Sequence, residues 1–167
     1  MKTKSKLLRL SVVPTAMALA FLSNQGFADD QKVYPGSLGV RWDGADPSYY
    51  FSSIGNPSST EWLKVDLPVI NDDLGNDIGY SNVRVLDRNY SYNVSCSLNS
   101  VYWNGSGFSG YFGPKTYSSG SSDYLQYLYT GGVGGGTYSY HEYFSCEIPP
   151  SYNGNQSYIV SYYVDEY

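Results

Sequence analysis

Side chains that bind transition metals are scarce in this sequence. Its 167 residues include one histidine, His141, and two widely separated cysteines, Cys96 and Cys146. This set does not match the ligand spacing of a structural zinc site. The sequence therefore predicts no metal site and no cofactor.

Positive charge is also scarce. Ten Lys and Arg stand against fifteen Asp and Glu, which gives a net charge of −5. An acidic chain repels phosphate backbones and anionic lipid surfaces, so nucleic acid is excluded as a partner. Long apolar runs are missing as well: the longest, 10–22, is interrupted by Pro14 and is short of the ~20 residues that a membrane-spanning helix needs.

Residues 1–28 have the three-part pattern of a secretory signal peptide. A basic segment, 1–9, precedes the apolar run 10–22, and Gly26 and Ala28 flank Phe27 at the end. Signal peptidases require this order, so we expect cleavage after Ala28. The mature chain, 29–167, would not span a membrane and would be exported, either to the periplasm or outside the cell. It would keep six basic and fifteen acidic side chains, a net charge of −9.

Good helix formers are few in the mature region, where Tyr, Ser, Gly and Asn dominate. This composition favours strands joined by turns. Together with frequent turn signals, it predicts an all-β fold, a single antiparallel β-sandwich of about eight strands over residues 29–167.

Alternating side chains identify two strands in particular. In Tyr90–Asn99 the apolar face includes Val94, Cys96 and Leu98, as expected for a half-buried strand. A similar apolar face runs through 137–148, and only Glu142 breaks it. This exception indicates either a β-bulge near His141-Glu142 or a functional acid that faces inward. Further strands are predicted at 38–42, 48–54, 61–69, 81–86, 124–130 and 157–164.

The two cysteines lie on inward positions of these two strands. In an exported protein such cysteines pair, and Cys96–Cys146 is the one intrachain disulfide available. Closing a loop of this length contributes roughly 4 kcal/mol in the chain-entropy model. This disulfide is the one set of site residues that the sequence predicts.

The acidic segment Asn71–Asp77 has two interpretations. Its carboxylate and amide oxygens are suitable calcium ligands, although it lacks the spacing of an EF-hand. It is also typical of a solvated turn between strands.

No motif predicts a catalytic residue. His141 and Glu142 are adjacent on a strand and would point to opposite faces, and no Gly-x-Ser-x-Gly elbow accompanies them. The glycine run 131–136 lacks the Lys of a phosphate loop and is predicted to be a flexible loop. Six carboxylates are candidates for a pair that hydrolyses glycosides, but no sequence pattern holds any two of them together. They are Asp72, Asp73, Asp77, Asp87, Glu142 and Glu147. We therefore predict that the chain is not an enzyme.

Tyrosine is the most unusual feature, with twenty in the chain. Doublets such as Tyr49-Tyr50 and Tyr162-Tyr163 place it on both faces of a strand, so part of it is expected at the surface. Tyrosine with Ser, Gly and Asn is typical of recognition surfaces. The leading hypothesis is a non-enzymatic binding module for a glycan or a protein. The alternative is a structural surface subunit such as a pilus-like component.

Two stretches, Val83–Leu98 and Phe144–Tyr162, resemble small exported bacterial proteins with no assigned function. In those relatives a Cys-Pro pair often precedes the acidic loop, whereas this chain has Asp66-Leu67-Pro68 there. The resemblance therefore implies no second disulfide here, and it brings no activity with it.

Overall fold

The computed structural model describes residues 30–71, 77–134 and 140–166. The predicted signal peptide lies outside these ranges, as do residues 72–76 of the predicted calcium segment. The described residues form one 3-10 turn, Gly36–Leu38, and twelve strands. The strands are β1 (Asp30–Pro35), β2 (Val40–Gly44), β3 (Ser48–Tyr50), β4 (Ser53–Gly55), β5 (Leu63–Pro68), β6 (Ile78–Leu86), β7 (Ser95–Trp103), β8 (Phe108–Phe112), β9 (Thr116–Tyr117), β10 (Gln126–Tyr129), β11 (Tyr140–Ile148) and β12 (Tyr158–Glu166).

These strands form two six-stranded antiparallel sheets that pack as a sandwich. Sheet I has the order β10-β6-β12-β4-β3, with β1 also paired to β12. Sheet II has the order β2-β5-β11-β7-β8, with β9 also paired to β7. The predicted all-β sandwich is confirmed, with more strands than expected because several are very short. No helix in the described part of the chain is long and apolar enough to cross a membrane.

The core fills the space between the sheets with alternate side chains of both. Val83, Val85 and Ile159 of sheet I and Leu67 and Phe144 of sheet II are completely buried. Each side chain of this size contributes about 1.5–3 kcal/mol when it is fully buried. The opposite positions face outward, and the exposed aromatic side chains of the sheets lie on these outer faces.

The disulfide lies at the centre of sheet II. Cys96 of β7 is directly opposite Cys146 of β11, and their Cα atoms are 4.1 Å apart. The predicted Cys96–Cys146 disulfide is confirmed, and it joins two neighbouring strands of one sheet.

The strand predicted at Tyr90–Asn99 starts later than expected. The side chain of Asn89 accepts hydrogen bonds from the backbone N–H groups of Ser91 and Tyr92, at 2.7 and 2.8 Å. Such a contact holds the backbone in a turn. Tyr90 and Tyr92 are therefore exposed loop residues, and the strand begins only at Ser95.

Three other expectations also need correction. Residues 48–54 form a hairpin of two short strands, because Phe51 has a positive φ of 51° at the turn. The β7–β11 register runs without a shift through Glu142, so the predicted bulge is wrong and the inward acid is correct. Val133, within the glycine run, exchanges backbone hydrogen bonds with Ile78, so the described part of that run is attached to β6.

Candidate functional site

The outer face of sheet II contains a cavity of about 640 Å³. Val40 of β2 lines it at one edge of the sheet, and Phe108 and Phe112 of β8 line it at the other. Asp66 and Tyr143 belong to the strands between them. The five strands β2, β5, β11, β7 and β8 all border or underlie this cavity.

Strand register brings distant residues together here. Pro68, Tyr143, Asn99 and Phe112 form one row across four strands. Alternation along each strand turns this row outward. Antiparallel pairing therefore assembles the site from segments that are widely separated in the sequence.

Exposed and half-buried aromatic rings form a continuous series along the cavity. The ring centroids of Trp103 and Phe108 are 5.4 Å apart, those of Phe108 and His141 are 6.1 Å apart, and those of His141 and Tyr143 are 6.3 Å apart. Trp103 is 59% exposed and Phe108 is 65% exposed. Large contiguous apolar surfaces of this kind commonly mark binding sites.

Asp66 supplies a carboxylate beneath this surface. Its Oδ1 atom is buried and has no hydrogen-bond partner. Burial raises the pKa of Asp66, and hydrogen bonds with Ser145 and Trp42 oppose part of that rise. The group is therefore a hydrogen-bond acceptor with one oxygen still unused.

Neutral polar groups continue the site beside Asp66. Asn99 accepts hydrogen bonds from the backbone of Gly113 at 3.2 Å and from Ser97 at 3.4 Å. Burial and the negative charge of Asp66 raise the pKa of Tyr143, while a hydrogen bond with Asn99 lowers it. Tyr143 therefore keeps its phenolic proton at neutral pH and can donate it.

Charged side chains at the edge of this face are paired with one another. Lys64 contacts Asp43 at 2.7 Å and lies 5.0 Å from the centre of the Trp42 ring. Lys115 contacts Glu147 at 2.7 Å. Because each cation has an acidic partner, this edge does not attract ligands of one charge sign.

Asp87, one of the candidate acids, has a structural role. It is completely buried, and its two oxygens accept hydrogen bonds from Ser118 and Ser157 at 2.5 and 3.0 Å. The backbone N–H groups of Asn89 and Val94 also donate to it, at 3.0 and 3.2 Å. The carboxylate joins three loops at one end of the sandwich.

The other candidate acids among the described residues are not brought together as a pair. Glu142 accepts a hydrogen bond from Ser100 at 3.1 Å, and Asp87 accepts one from the backbone of Val94. Val94 and Ser100 are six residues apart, which corresponds to about 20 Å along an extended strand. The carboxylates of Asp87 and Glu142 are therefore farther apart than those of a glycosidase, which lie within about 9.5 Å of each other. Glu147 lies on the outer face, and Asp77 is exposed. The described residues also contain no group of three or more His, Cys, Asp or Glu that could hold a metal.

His141 and Glu142 lie on opposite faces of β11, as predicted. The histidine is exposed on the outer face and Glu142 is buried on the inner face. Sequence reasoning did not identify Trp42, Asp66 or Asn99 as site residues. Asp66 and Asn99 stand out only once the strand register is known. The alternation of Lys64 and Asp66 with Leu63, Val65 and Leu67 in β5 is the one sequence signal that would have placed Asp66 on an outward face.

No protein-family model matches the chain, and no curated protein sequence matches it. One similar solved structure is the CBM36-1 domain of a multidomain xylanase from the hindgut metagenome of Trinervitermes trinervoides, with 11% identity and a TM-score of 0.46 over 81% of this chain and 96% of that one. Another is the low-affinity xylan-binding module CBM86 from Roseburia intestinalis, with 14% identity and a TM-score of 0.45 over 83% and 96%. A family two carbohydrate esterase from Cellvibrio japonicus has 8% identity and a TM-score of 0.47 over 83% of this chain and 34% of its own. At these values the likeness is confined to a general arrangement of strands.

Proposed function

We propose that this protein is an exported, non-catalytic carbohydrate-binding module whose ligand occupies the cavity of sheet II. One observation carries the proposal: the half-buried carboxylate of Asp66, which has one unpartnered oxygen, lines the same cavity as the exposed rings of Phe108 and Phe112. Export is proposed from the signal-like segment 1–28, and the disulfide is in keeping with an oxidising compartment.

The chemistry of this cavity suits a sugar. The C–H face of a pyranose ring packs on the electron-rich face of an aromatic ring. Its hydroxyl groups donate to a carboxylate and accept from a phenol, which Asp66 and Tyr143 provide. The charged groups at the edge are already paired, which favours a neutral ligand.

The arrangement of acids is the reason to propose binding rather than hydrolysis. Glycoside hydrolysis needs two carboxyl groups on either side of the scissile bond. Among the described acids, Glu142 faces the core and Glu147 pairs with Lys115, so neither stands with Asp66 as a free partner.

A glycan array followed by calorimetry on the best ligand tests the proposal. We expect Asp66→Ala to weaken binding about tenfold or more, since a hydrogen bond to a charged group contributes ~1.5–3 kcal/mol. Phe112→Ala should weaken binding too. Tyr124→Ala is the matched control, because Tyr124 is 83% exposed on a loop outside this face.

Binding that is unaffected by both Asp66→Ala and Phe112→Ala would refute the sheet II site. Each titration should be run with and without calcium, since the Asn71–Asp77 segment is still a candidate calcium site. Loss of binding on calcium removal would add that segment to the site.

A pilus-like structural subunit is the alternative that the sequence suggested. In the described residues, β1 pairs with β12 of the same chain over six residues. A subunit that assembles by strand exchange would instead receive such a strand from a neighbour. Detergent-resistant ladders on gels would favour this alternative over a binding module.

A further inference from the structure

The outer face of sheet I is a second aromatic surface, which none of the preceding functions uses. Val33, Tyr163, Asn82 and Tyr129 form one row across four strands. Neighbouring positions add Arg84 and Tyr127 on one side of this row and Tyr80 and Asp165 on the other. We call this surface the tyrosine face and define it by Tyr80, Asn82, Arg84, Tyr127, Tyr129 and Asp165.

The tyrosine rings are in contact with one another and open to solvent. The ring centroids of Tyr80 and Tyr129 are 5.8 Å apart, and those of Tyr127 and Tyr129 are 6.3 Å apart with planes 16° from parallel. The Arg84 guanidinium lies 5.7 Å from the Tyr127 ring centre. Tyr80, Tyr127 and Tyr129 are 41%, 48% and 57% exposed. These side chains provide a broad stacking surface that no described segment covers.

Unused polar atoms lie under these rings. Oδ1 of Asn82, Oδ1 of Asp165 and Nε of Arg84 are buried and have no hydrogen-bond partner. Buried polar atoms without partners are uncommon in native proteins. Exposed side chains change rotamer within nanoseconds, so rotation of the tyrosines would admit an incoming group to these atoms.

We propose that the tyrosine face is a second carbohydrate-binding site, for a neutral and extended saccharide. Two acceptors and one donor match hydroxyl groups, which both donate and accept. Arg84 and Asp165 carry opposite charges, so the face favours a neutral ligand, and the acidic chain as a whole repels polyanions. This site is separate from the sheet II cavity and does not depend on it.

Binding measurements on four forms of the full chain test this proposal. They are the wild type, the sheet II variant Asp66→Ala/Tyr143→Ala, the tyrosine-face variant Tyr127→Ala/Tyr129→Ala, and the combination of all four changes. Calorimetry with cellohexaose, xylohexaose and mannohexaose gives affinity and stoichiometry. Tyr124→Ala is the control for loss of an exposed tyrosine, and a thermal melt of each variant reports folding.

We expect the sheet II variant to keep measurable affinity for at least one of the three sugars. In the combined variant this remaining affinity should fall about tenfold, because the stacking rings have been removed. The second site would be refuted if the wild type and the tyrosine-face variant bound all three sugars with the same affinity and stoichiometry. Loss in the tyrosine-face variant alone would support this site and refute the sheet II site.

Three further results would also refute the tyrosine face as a neutral saccharide site. The first is no binding of any of the three sugars to the wild type. The second is a wild type that binds polygalacturonate but none of the neutral sugars, with this binding abolished by Arg84→Gln. The ligand of the face would then be acidic. The third is a change from dimer to monomer in the tyrosine-face variant, measured by sedimentation, with sugar binding unchanged, since a second copy of the chain would then cover the face.

Discussion

Asp66 has opposing effects on folding and on binding. Its buried carboxylate raises the energy of the folded state when it is ionised, which is why its pKa is raised. The same ionised form is the better acceptor for sugar hydroxyl groups. Binding through Asp66 should therefore weaken as the pH falls through its raised pKa, which titrations at several acidic pH values would detect.

We predict that Asp66→Asn makes the protein more stable at neutral pH. A raised pKa in the folded state means that protonated Asp66 favours folding, and this contribution is lost as the pH rises through that pKa. The gain over wild type should therefore be largest near pH 7 and disappear below the ordinary Asp pKa of 3.8. Thermal melts across this pH range measure it. Asp46→Asn is the control, since Asp46 is exposed and pairs with Arg41 at the surface.

Asp87→Ala should strongly destabilise the fold. The substitution leaves four buried donors without their acceptor, and we expect a loss on the order of 3 kcal/mol or more. Urea unfolding measures the change. An unaltered unfolding midpoint would contradict the structural role assigned to Asp87 and reopen it as a candidate catalytic acid.

At the scale of elements, the β7–β8 hairpin supports one side of the sheet II cavity. Gly110 lies between Phe108 and Phe112 with a φ of 149°, and an added Cβ would come within 2.1 Å of the Ser100 carbonyl oxygen. A side chain here would therefore displace β8 from β7. The position of both phenyl rings depends on this close approach.

We predict that Gly110→Ala costs at least about 1 kcal/mol of stability, because the backbone position does not suit a side chain, and that it weakens sugar binding. Gly107→Ala, in the same hairpin, is the matched control, since an added Cβ there meets nothing within 4 Å. Calorimetry and urea unfolding of the two variants provide the comparison. Equal effects of the two substitutions would show that the Gly110 contact is unimportant.

Sequence patterns predicted most of the strands, including the short β2 and β10, and missed three. β5, β6, β11 and β12 were predicted because alternation over six to nine residues is a strong signal. β1, β8 and β9 were missed, since they alternate weakly or are too short to show a pattern. The strand predicted to start at Tyr90 starts only at Ser95, because the Asn89 side chain bonds to the backbone of Ser91 and Tyr92. Such a bond overrides the local alternation of side chains.

The candidate site was less predictable than the fold for a physical reason. Its residues come from β2, β5, β7, β8 and β11, and only the pairing register makes them neighbours. Composition indicated that tyrosine would be exposed, which is correct for Tyr127 and Tyr129. Nothing in the local sequence distinguishes Asp66 from other outward acids, because its hydrogen-bond partners, Trp42 and Ser145, lie on neighbouring strands.

For the whole molecule, the disulfide is the main covalent restraint. We predict that Cys96→Ala/Cys146→Ala lowers the free energy of unfolding by about 4 kcal/mol, since the bridge spans a separation of 50 residues. Thermal melts of the variant, and of wild type with and without a reductant, measure this. A reductant should leave the variant unchanged, and a variant as stable as wild type would show that packing of β7 on β11 suffices.

The two aromatic faces point in opposite directions, because they lie on the outer sides of the two sheets. A straight glycan strand bound to one face cannot also touch the other face of the same molecule. A module with both sites filled would therefore cross-link separate polysaccharide chains. Added to a dilute polysaccharide solution, it would raise the viscosity or form a gel, as a single-site module cannot.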